Sequence, residues 1–331
     1  MIRERDDAGV VLIALLWVLT ALSVIALSFS RETLVEVAAA RNTRDLSDAY
    51  YVARAGLEQA VYKVIERRYT AQPQGIEQQA LAPDPLDLGY YEGTFGGGTF
   101  RVEMQDESGK INLNFINEDQ LRTLCEVIGI QRPDSDVIVD SVMDWRDADR
   151  AHRANGAEDD YYQQLPTPYK AKNGRLDTVE ELLLVRGVTR EYYYGYREKA
   201  QDGSPGYRFG LSRYLTVYTN SNRVNVNFAE MPVLMAIPGM NANAAQQIYE
   251  RRKSKPFRTV QEITTELPVM LEPTTLPYLS TDAAGVFMMT ASARMANSKV
   301  LRIIRAVVVV GDSREPSLHR ILYWNENVAN L

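Results

Sequence analysis

The chain has 331 residues, with 37 Lys and Arg against 43 Asp and Glu, so its formal net charge is −6. A protein that binds nucleic acid neutralises phosphates with a basic face, and this composition therefore argues against nucleic acid as a partner. Cys125 is the only cysteine, which excludes a disulfide within the chain.

The N-terminal segment predicts a membrane anchor. A charged leader, Met1–Ala8, is followed by Gly9 and then by an uncharged run from Val10 to Phe29. A helix needs roughly 20 apolar residues to cross the hydrocarbon core of a bilayer, and this run meets that length. A secretory signal peptide is the alternative, but its apolar core is typically about 7 to 15 residues long and ends in a small-residue cleavage site.

The helix is expected to continue to Arg68, since residues 31–68 contain no proline and many good helix formers. Residues 71–98 are rich in Gln, Pro and Gly, which is typical of a connector. Four segments with strand character predict a small antiparallel sheet against the second half of the helix. These segments are Thr99–Gln105, Val286–Ala293, Val300–Val310 and Ile321–Trp324.

The long stretch between the first two of these strands contains an internal repeat. Gly109–Phe115 (GKINLNF) and Asn222–Phe228 (NRVNVNF) share a pattern in which hydrophobic and Asn residues alternate before a Phe. Each is followed by an apolar segment with helical character, residues 117–128 and 230–237. The pattern predicts duplication of a small helical unit, in which the Asn side chains satisfy local backbone groups.

Residues 236–252 predict a helix-hairpin-helix with a tight turn at Pro238 and Gly239, and a similar turn is expected at Leu184–Thr189. In a DNA-binding hairpin, the turn amides and the dipole of the following helix hold a phosphate. The basic residues that would assist are Arg251, Arg252, Lys253 and Lys255. The acidic chain favours the alternative, in which the hairpin packs two helices and these charges lie at a solvated helix end.

Carboxylates are concentrated between Val139 and Tyr162. Asp140 and Asp144 are four positions apart on a predicted helix. The others follow in a loop, and they are Asp147, Asp149, Glu158, Asp159 and Asp160. Such charges repel one another unless they are solvated or neutralised, and Ca²⁺, with about six to eight oxygen ligands, is a natural neutraliser. The spacing is not that of an EF-hand, so the residues alone leave a solvated loop and a cation site open.

A catalytic role for these carboxylates, as acid and base or as ligands of two metal ions, is a further alternative. His152 lies in the loop and could ligate zinc, but a lone His among Asp and Arg is more often exposed. The chain has no P-loop, nucleophile elbow or CxxC motif. We therefore expect a protein that is not an enzyme.

The N terminus resembles a type IV prepilin, because a charged leader ends in Gly and a helix that is first apolar and later amphipathic begins directly after it. In that family a prepilin peptidase cuts after the Gly and methylates the new N terminus, which implies processing between Gly9 and Val10. The fifth residue after the cut is Ala14, where most pilins and pseudopilins carry a Glu thought to pair with the amino terminus of a neighbouring subunit. A subunit without this Glu and with a large soluble domain is similar to the type II secretion minor pseudopilin K family.

This resemblance implies an α+β, type IV pilin-like fold, in which an all-α insert with two SAM-like, helix-hairpin-helix lobes interrupts the small sheet. The implied divisions are a leader (1–9), a long helix (10–68, with 10–29 in the membrane), a connector with the first strand (69–110), the insert (111–280) and the C-terminal strands (281–331).

The strings DWRDAD and NGAEDDYY resemble the acidic segment of that family, which includes members with calcium in the helical domain. The resemblance therefore implies a structural Ca²⁺ site. Its implied ligands are Asp147, Asp149, Glu158, Asp159 and Asp160.

The function implied by the resemblance is that of a structural subunit at the tip of the type II secretion pseudopilus, which helps to initiate filament assembly for protein export across the outer membrane. The expected partners are other minor pseudopilins, the major pseudopilin and the prepilin peptidase. We expect a single pass through the inner membrane, with the C-terminal domain in the periplasm. The alternative is a minor pilin of a type IV pilus or DNA-uptake filament whose hairpin binds DNA.

Overall fold

One very long helix forms the N-terminal part of the chain in this computed structural model, which describes residues 7–70, 89–199, 205–267, 271–311 and 318–326. The helix α1 runs from Asp7 to Thr70, a length of about 96 Å at 1.5 Å per residue. It is long and apolar enough to cross a membrane, and its side chains are exposed from Gly9 to Arg44. Most of the predicted leader lies outside the described residues.

The remaining elements are short. The other helices are α2 (Glu118–Val127), α3 (Asp134–Arg146), α4 (Asp159–Gln163), α5 (Arg190–Tyr194), α6 (Met231–Met235), α7 (Ala242–Ser254) and α8 (Val260–Glu266). The strands are β1 (Tyr90–Phe95), β2 (Gly98–Asp106), β3 (Ile111–Asn112), β4 (Gly195–Lys199), β5 (Pro205–Phe209), β6 (Leu215–Thr216), β7 (Val224–Asn225), β8 (Leu279–Ser280), β9 (Val286–Met295), β10 (Arg302–Val310) and β11 (His319–Asn325). Single 3₁₀ turns lie at Glu107–Gly109, Val179–Leu184, Leu211–Arg213 and Leu276–Tyr278.

The second half of α1 packs against a five-stranded antiparallel sheet with the strand order β1-β2-β9-β10-β11. The buried residues of α1 are spaced by three and four positions, which places them on one face of the helix. Besides Gly56, they are Ala49, Val52, Ala53, Leu57, Ala60 and Val61. The sheet contributes inward-facing residues such as Val102, Ala291 and Ile304, which lie side by side on adjacent strands. This packing forms the first of two hydrophobic cores.

Helix and sheet are in close contact at Phe100. The Phe100 ring lies between Gly56 of α1 and Gly93 of β1, its register partner on the neighbouring strand. A Cβ atom added at either glycine would come within 2.5 Å of the ring. Two glycines thus make room for one aromatic side chain inside the helix–sheet interface.

The sheet has one more strand than the sequence analysis predicted. The four predicted strands are confirmed within two residues at each end, but Tyr90–Phe95, which falls in the predicted connector 71–98, forms β1. The turn from β1 to β2 uses Gly96 and Gly97, with φ of +56° and +80°, values that favour glycine. The prediction took these glycines as part of a connector, whereas they form a hairpin turn. Residues 71–88 of the predicted connector lie outside the described residues.

A large insert leaves the sheet after Asp106 and returns before Phe287, and these two residues are register partners on β2 and β9. The prediction of an all-α insert is wrong. Besides α2 to α8, the insert contains the antiparallel hairpin β4–β5 and the parallel pairs β3–β6 and β7–β8. The hairpin strands GYREK and PGYRF are short and show no clear apolar pattern, and they acquire their strand state by pairing with each other.

The insert contacts the face of the sheet that points away from α1. Gln105 Nε2 donates a hydrogen bond to Glu230 Oε1 at 3.3 Å, and the Tyr323 hydroxyl donates to Glu180 Oε1 at 2.8 Å. Met104, the neighbour of Gln105, packs against the α1 core, and successive strand residues point to opposite faces. The sheet is therefore covered by α1 on one side and by part of the insert on the other.

We expect Gly56→Ala to destabilise the chain, although Ala is the better helix former by about 1 kcal/mol. The added methyl group would overlap the Phe100 ring, and overpacking of a core costs about 1–3 kcal/mol. Thermal unfolding of the full-length chain in detergent measures the effect. In a Phe100→Ala background the overlap is absent, so the same substitution should be neutral or stabilising. Equal losses in both backgrounds would contradict the proposed contact.

Candidate functional site

The residues predicted at the processing junction lie in the first turns of α1. Gly9, Val10 and Ala14 are all exposed, and no neighbouring atom lies within 4 Å of a Cβ built on Gly9. Ala14 presents a methyl group at the position where most pilins carry a carboxylate. Cleavage after Gly9 and methylation of Val10 stay predictions.

The acidic segment begins where α3 ends. Asp147 is the C-cap residue of α3, and the chain then loops through Asp149 to Glu158, the N-cap residue of α4. One oxygen atom from each of these three carboxylates lies within 4.8 Å of the other two. The loop thus brings together three of the five residues predicted as metal ligands.

Glu158 is the most buried member of this cluster, with 2% of its surface exposed. Among the described residues, neither of its carboxylate oxygens has a hydrogen-bond partner, and neither does Oδ1 of Asp147. Burial, and after it the charges of Asp144 and Asp147, raise the pKa of Glu158 above its usual value. A buried carboxylate is costly to ionise without a partner. A cation at the cluster would supply the partner that these oxygens lack.

Arg153 supplies part of the positive charge, although the sequence analysis did not single it out. Its Nη1 atom lies 3.3 Å from Oδ1 of Asp144 and 3.1 Å from Oδ2 of Asp147, and its Nε atom lies 3.1 Å from Oε1 of Glu118. The Asp144 side chain is fully buried, and burial raises its pKa. One guanidinium therefore pairs with three carboxylates, and within the part of the chain that the structure describes Glu158 forms no salt bridge.

Two carboxylates on α3 fix the loop in place without belonging to the cluster. Asp140 Oδ2 accepts hydrogen bonds from the backbone and side-chain nitrogens of Asn155, both at 2.9 Å. Asp144 Oδ2 accepts from the backbone nitrogen of Arg153 at 3.2 Å and would lie 1.9 Å from a Cβ on Gly156. The spacing of four positions between the two Asp residues, which puts them on one helix face, is the sequence signal for this role.

The other two predicted ligands have different partners. Asp159 Oδ1 accepts a hydrogen bond from the backbone nitrogen of Ala171 at 2.9 Å. Asp160 Oδ1 lies 2.9 Å from Nε2 of His152. The three-carboxylate cluster itself contains only hard oxygen donors, which suit Ca²⁺, whereas zinc prefers nitrogen and sulfur ligands. The residues fit a calcium ion, and the roles of Asp159 and Asp160 as ligands stay predictions.

The predicted hairpin turn joins α6 to α7 through Gly239, which has φ of +74°. A Cβ at this glycine would lie 2.6 Å from Thr275 Oγ1, 2.9 Å from Thr274 Oγ1 and 3.0 Å from Glu272 Oε2. A carboxylate therefore lies beside the turn to which a DNA phosphate would bind, and like charges repel. This arrangement favours a packing role for the hairpin.

The basic residues that follow this turn are engaged within the chain. Arg252 donates to the carbonyl oxygens of Val226 and Ala229. The other pairs are Arg251 with Glu266, Lys253 with Glu250 and Lys255 with Glu266. These contacts leave little of the basic face that phosphate binding requires.

Two further Gly turns connect helical segments of the insert. The turn expected at Leu184–Thr189 is present, with Gly187 at φ of +86° between a 3₁₀ turn and α5. A third turn, which was not predicted, lies at Gly129 between α2 and α3, where φ is +92°. Gly129 itself was the available signal, since it directly follows the C-cap residue Ile128 of α2 and helices commonly end with a glycine in the left-handed conformation.

Comparisons with known proteins agree with this architecture. The family described as Type II secretion system (T2SS), protein K matches residues 106–198 and 224–281. The Type II secretion system protein K of Pseudomonas aeruginosa is 25% identical over 283 residues, which cover 80% of this chain and 78% of that protein. The protein K of Aeromonas hydrophila is 24% identical over 296 residues, which cover 83% of this chain and 84% of the relative.

The fold is also similar to a solved structure, the crystal structure of the GspK-GspI-GspJ complex from the Type 2 Secretion System of enterotoxigenic Escherichia coli. The TM-score is 0.59 at 16% identity, and the match covers 90% of this chain and 100% of that chain. At this identity the likeness shows the fold alone. The family matches, over residues 106–198 and 224–281, and the relatives bear out the resemblance: the chain is similar to the protein K family of the type II secretion system, a family of minor pseudopilins.

Proposed function

We propose that this chain is the tip subunit of the type II secretion pseudopilus and that it helps to initiate assembly of the filament. The observation that carries the proposal is the exposed part of α1, in which every side chain from Gly9 to Arg44 is accessible. A large contiguous apolar surface marks a membrane-spanning or protein-binding segment. This segment first spans the inner membrane and then packs against the helices of other subunits.

Two features support a position at the end of the filament. Ala14 offers no carboxylate to the amino terminus of a neighbouring subunit, a pairing that the prepilin resemblance implies for most other subunits. The insert adds bulk that an ordinary pilin lacks and covers part of the outer face of the sheet through Gln105 and Tyr323. A subunit with both features cannot easily accept another subunit above it.

The proposed partners are other minor pseudopilins, the major pseudopilin and the prepilin peptidase. The similar crystal structure is a complex of GspK with GspI and GspJ, and the counterparts of GspI and GspJ are therefore the first partners to test. We place the C-terminal domain in the periplasm, assign the chain a structural role without catalysis, and interpret the two lobes of the insert as SAM-like. A DNA-binding pilin is not favoured, because Glu272 lies beside the turn at Gly239.

In cells that overproduce the major pseudopilin, we expect immunogold labelling of this chain at one end of each filament. The missing carboxylate at Ala14 and the bulk of the insert both restrict the chain to that place. Deleting the chain should reduce the number of filaments more than their length, because it acts in initiation. Labelling distributed along the filaments, or unchanged filament numbers, would refute the proposed position.

We also propose that Asp147, Asp149 and Glu158 bind a structural Ca²⁺ ion, with Asp159 and Asp160 as further candidate ligands. The support is the burial of Glu158 together with its two unpartnered oxygens. The ion would neutralise the charge that Arg153 leaves unbalanced. A ligand that binds only the folded state stabilises it by about 2.7 kcal/mol at one hundred times its Kd, so the effect is measurable as a shift in melting temperature.

Glu158→Gln should shift the melting temperature in opposite directions in the metal-bound and the metal-free state. In chelator the variant should melt higher than the parent, by about 1 kcal/mol or roughly 2–4 °C, because a buried unpaired charge is removed. In Ca²⁺ it should melt lower than the parent, because an ion ligand is lost. Differential scanning calorimetry with and without chelator measures both shifts. Asp177→Asn, at an exposed carboxylate that pairs with Lys172 outside the cluster, is the matched control and should leave the calcium response intact.

The pH dependence follows from the raised pKa of Glu158. A carboxyl group whose pKa is higher in the folded than in the unfolded state stabilises the metal-free fold at low pH. This contribution is lost as the pH rises through the folded-state pKa. Melting curves of the parent chain in chelator should show this loss, and Glu158→Gln should reduce it. An identical pH profile for both proteins would argue against an ionised Glu158 in the metal-free cluster.

A further inference from the structure

The two echo segments found in the sequence have the same backbone contacts in the structure. In the first, β3 pairs in parallel with β6, and the backbone nitrogen of Leu113 donates to Thr216 at 2.8 Å. In the second, β7 pairs in parallel with β8, and the backbone nitrogen of Val226 donates to Ser280 at 3.0 Å. Each segment thus begins a unit that is closed by a later strand, at residues 111–216 and 224–280.

An Asn side chain clamps a distant backbone segment in each unit. Asn114 donates through Nδ2 to the carbonyl of Leu176 at 2.9 Å and accepts from its amide at 2.8 Å. Asn227 makes the same two bonds with Phe257, at the same two distances. The clamps occupy the same position of the echo, the second Asn in the patterns INLNF and VNVNF.

An Arg at the end of the second helix of each unit holds the echo segment from the other side. Arg146 Nη1 donates to the carbonyls of Leu113 and Ile116 at 2.7 and 2.9 Å. Arg252 Nη1 donates to the carbonyls of Val226 and Ala229. Burial lowers the pKa of both guanidinium groups, as expected for cations that bind backbone carbonyls inside a protein.

The units differ in the connection from the Arg to the clamped residue. In the second unit residues 253–256 suffice to link Arg252 to Phe257, and in the first unit residues 147–175 link Arg146 to Leu176. All three carboxylates of the acidic cluster lie in the longer connection. We call the parallel strand pair and the Asn and Arg bonds of each unit its framework. The second unit thus closes the same framework without this connection and without its acidic cluster.

We infer that residues 147–175 are an insertion into the first of two copies of one folding unit. Metal binding orders the acidic part of this insertion, residues 147–158. The hydrogen-bonded framework of both copies stays closed without metal. The metal half of this inference rests on the proposed calcium site. The hydrogen-bonded framework does not.

The rest of the insertion has its own means of attachment. Tyr162 is fully buried, and its ring lies 5.1 Å from that of Trp145 and 5.3 Å from that of Tyr169. Asp159 binds the backbone of Ala171. Aromatic packing and this hydrogen bond do not depend on neutralising the cluster, so loss of the ion should loosen the acidic part alone.

Hydrogen–deuterium exchange of the full-length chain in detergent, with Ca²⁺ and with chelator, tests the inference. On chelation, the amides of Arg153, Asn155 and Gly156 should exchange about tenfold faster or more, since they are bonded only within the acidic part or to α3. The amides of Leu176 and Phe257 should keep their rates. A comparable acceleration across residues 222–280, or no acceleration in 147–158 while a calcium titration shows binding, would overturn the inference. Absence of any Ca²⁺ binding would instead remove the proposed site and the metal half of the inference.

A matched pair of variants tests the framework half. Asn114→Leu and Asn227→Leu keep the approximate size of the side chain but remove both bonds of the clamp, including the Oδ1 that accepts from the amides of Leu176 and Phe257. Each should accelerate exchange at its own partner, Leu176 or Phe257, by a similar factor, and the factor should be the same in Ca²⁺ and in chelator. An effect in only one unit, or a calcium-dependent effect at Phe257, would show that the two units are not equivalent frameworks.

Discussion

Burial of one face of α1 on the sheet is the interaction on which the rest of the structure depends. The sheet is held in a fixed relation to α1 by this contact, in which Gly56 and Gly93 admit the ring of Phe100. The insert is joined to the sheet through β2 and β9, at positions that are register partners, Asp106 and Phe287. The placement of the insert relative to the filament helix is therefore transmitted through two adjacent strands rather than through a linker.

Within the insert, hydrogen bonds and charge have separate tasks. Both units are closed by hydrogen bonds to neutral backbone partners. Asn114 and Asn227 make one set of these bonds, and Arg146 and Arg252 make the other. The acidic segment is different, because Arg153 is shared among three carboxylates. Within the described residues, the carboxylate oxygens of Glu158 have no hydrogen-bond partner, and the proposed Ca²⁺ ion would supply one. Under the proposed calcium site, the need for a cation is therefore confined to one segment, and the bonds that close the two units involve none of its carboxylates.

Local patterns predicted the parts of this protein that local physics determines. The apolar run from Val10 predicted α1, alternation predicted β2, β9 and β10, and the concentration of Asp and Glu predicted the acidic cluster. The strand β1 and the hairpin β4–β5 were missed because short Tyr- and Gly-containing segments acquire their strand state from pairing. The role of Arg153 could not be predicted either, since its three partners meet only after α2, α3 and the loop have packed together.

Under the proposed function, Ala14 and the insert would restrict the chain in complementary ways. In the pairing that the prepilin resemblance implies, a carboxylate at this position neutralises the amino terminus of the adjoining subunit inside an apolar bundle of helices. An ammonium group buried without a partner costs several kcal/mol, so a subunit with a methyl group here disfavours any position at which another amino terminus would face it. The end of the filament is the position without such a neighbour. The insert acts by volume instead, and it depends on the β2 and β9 attachment rather than on α1. On the proposed function, steric and electrostatic terms therefore favour the same place in the assembly.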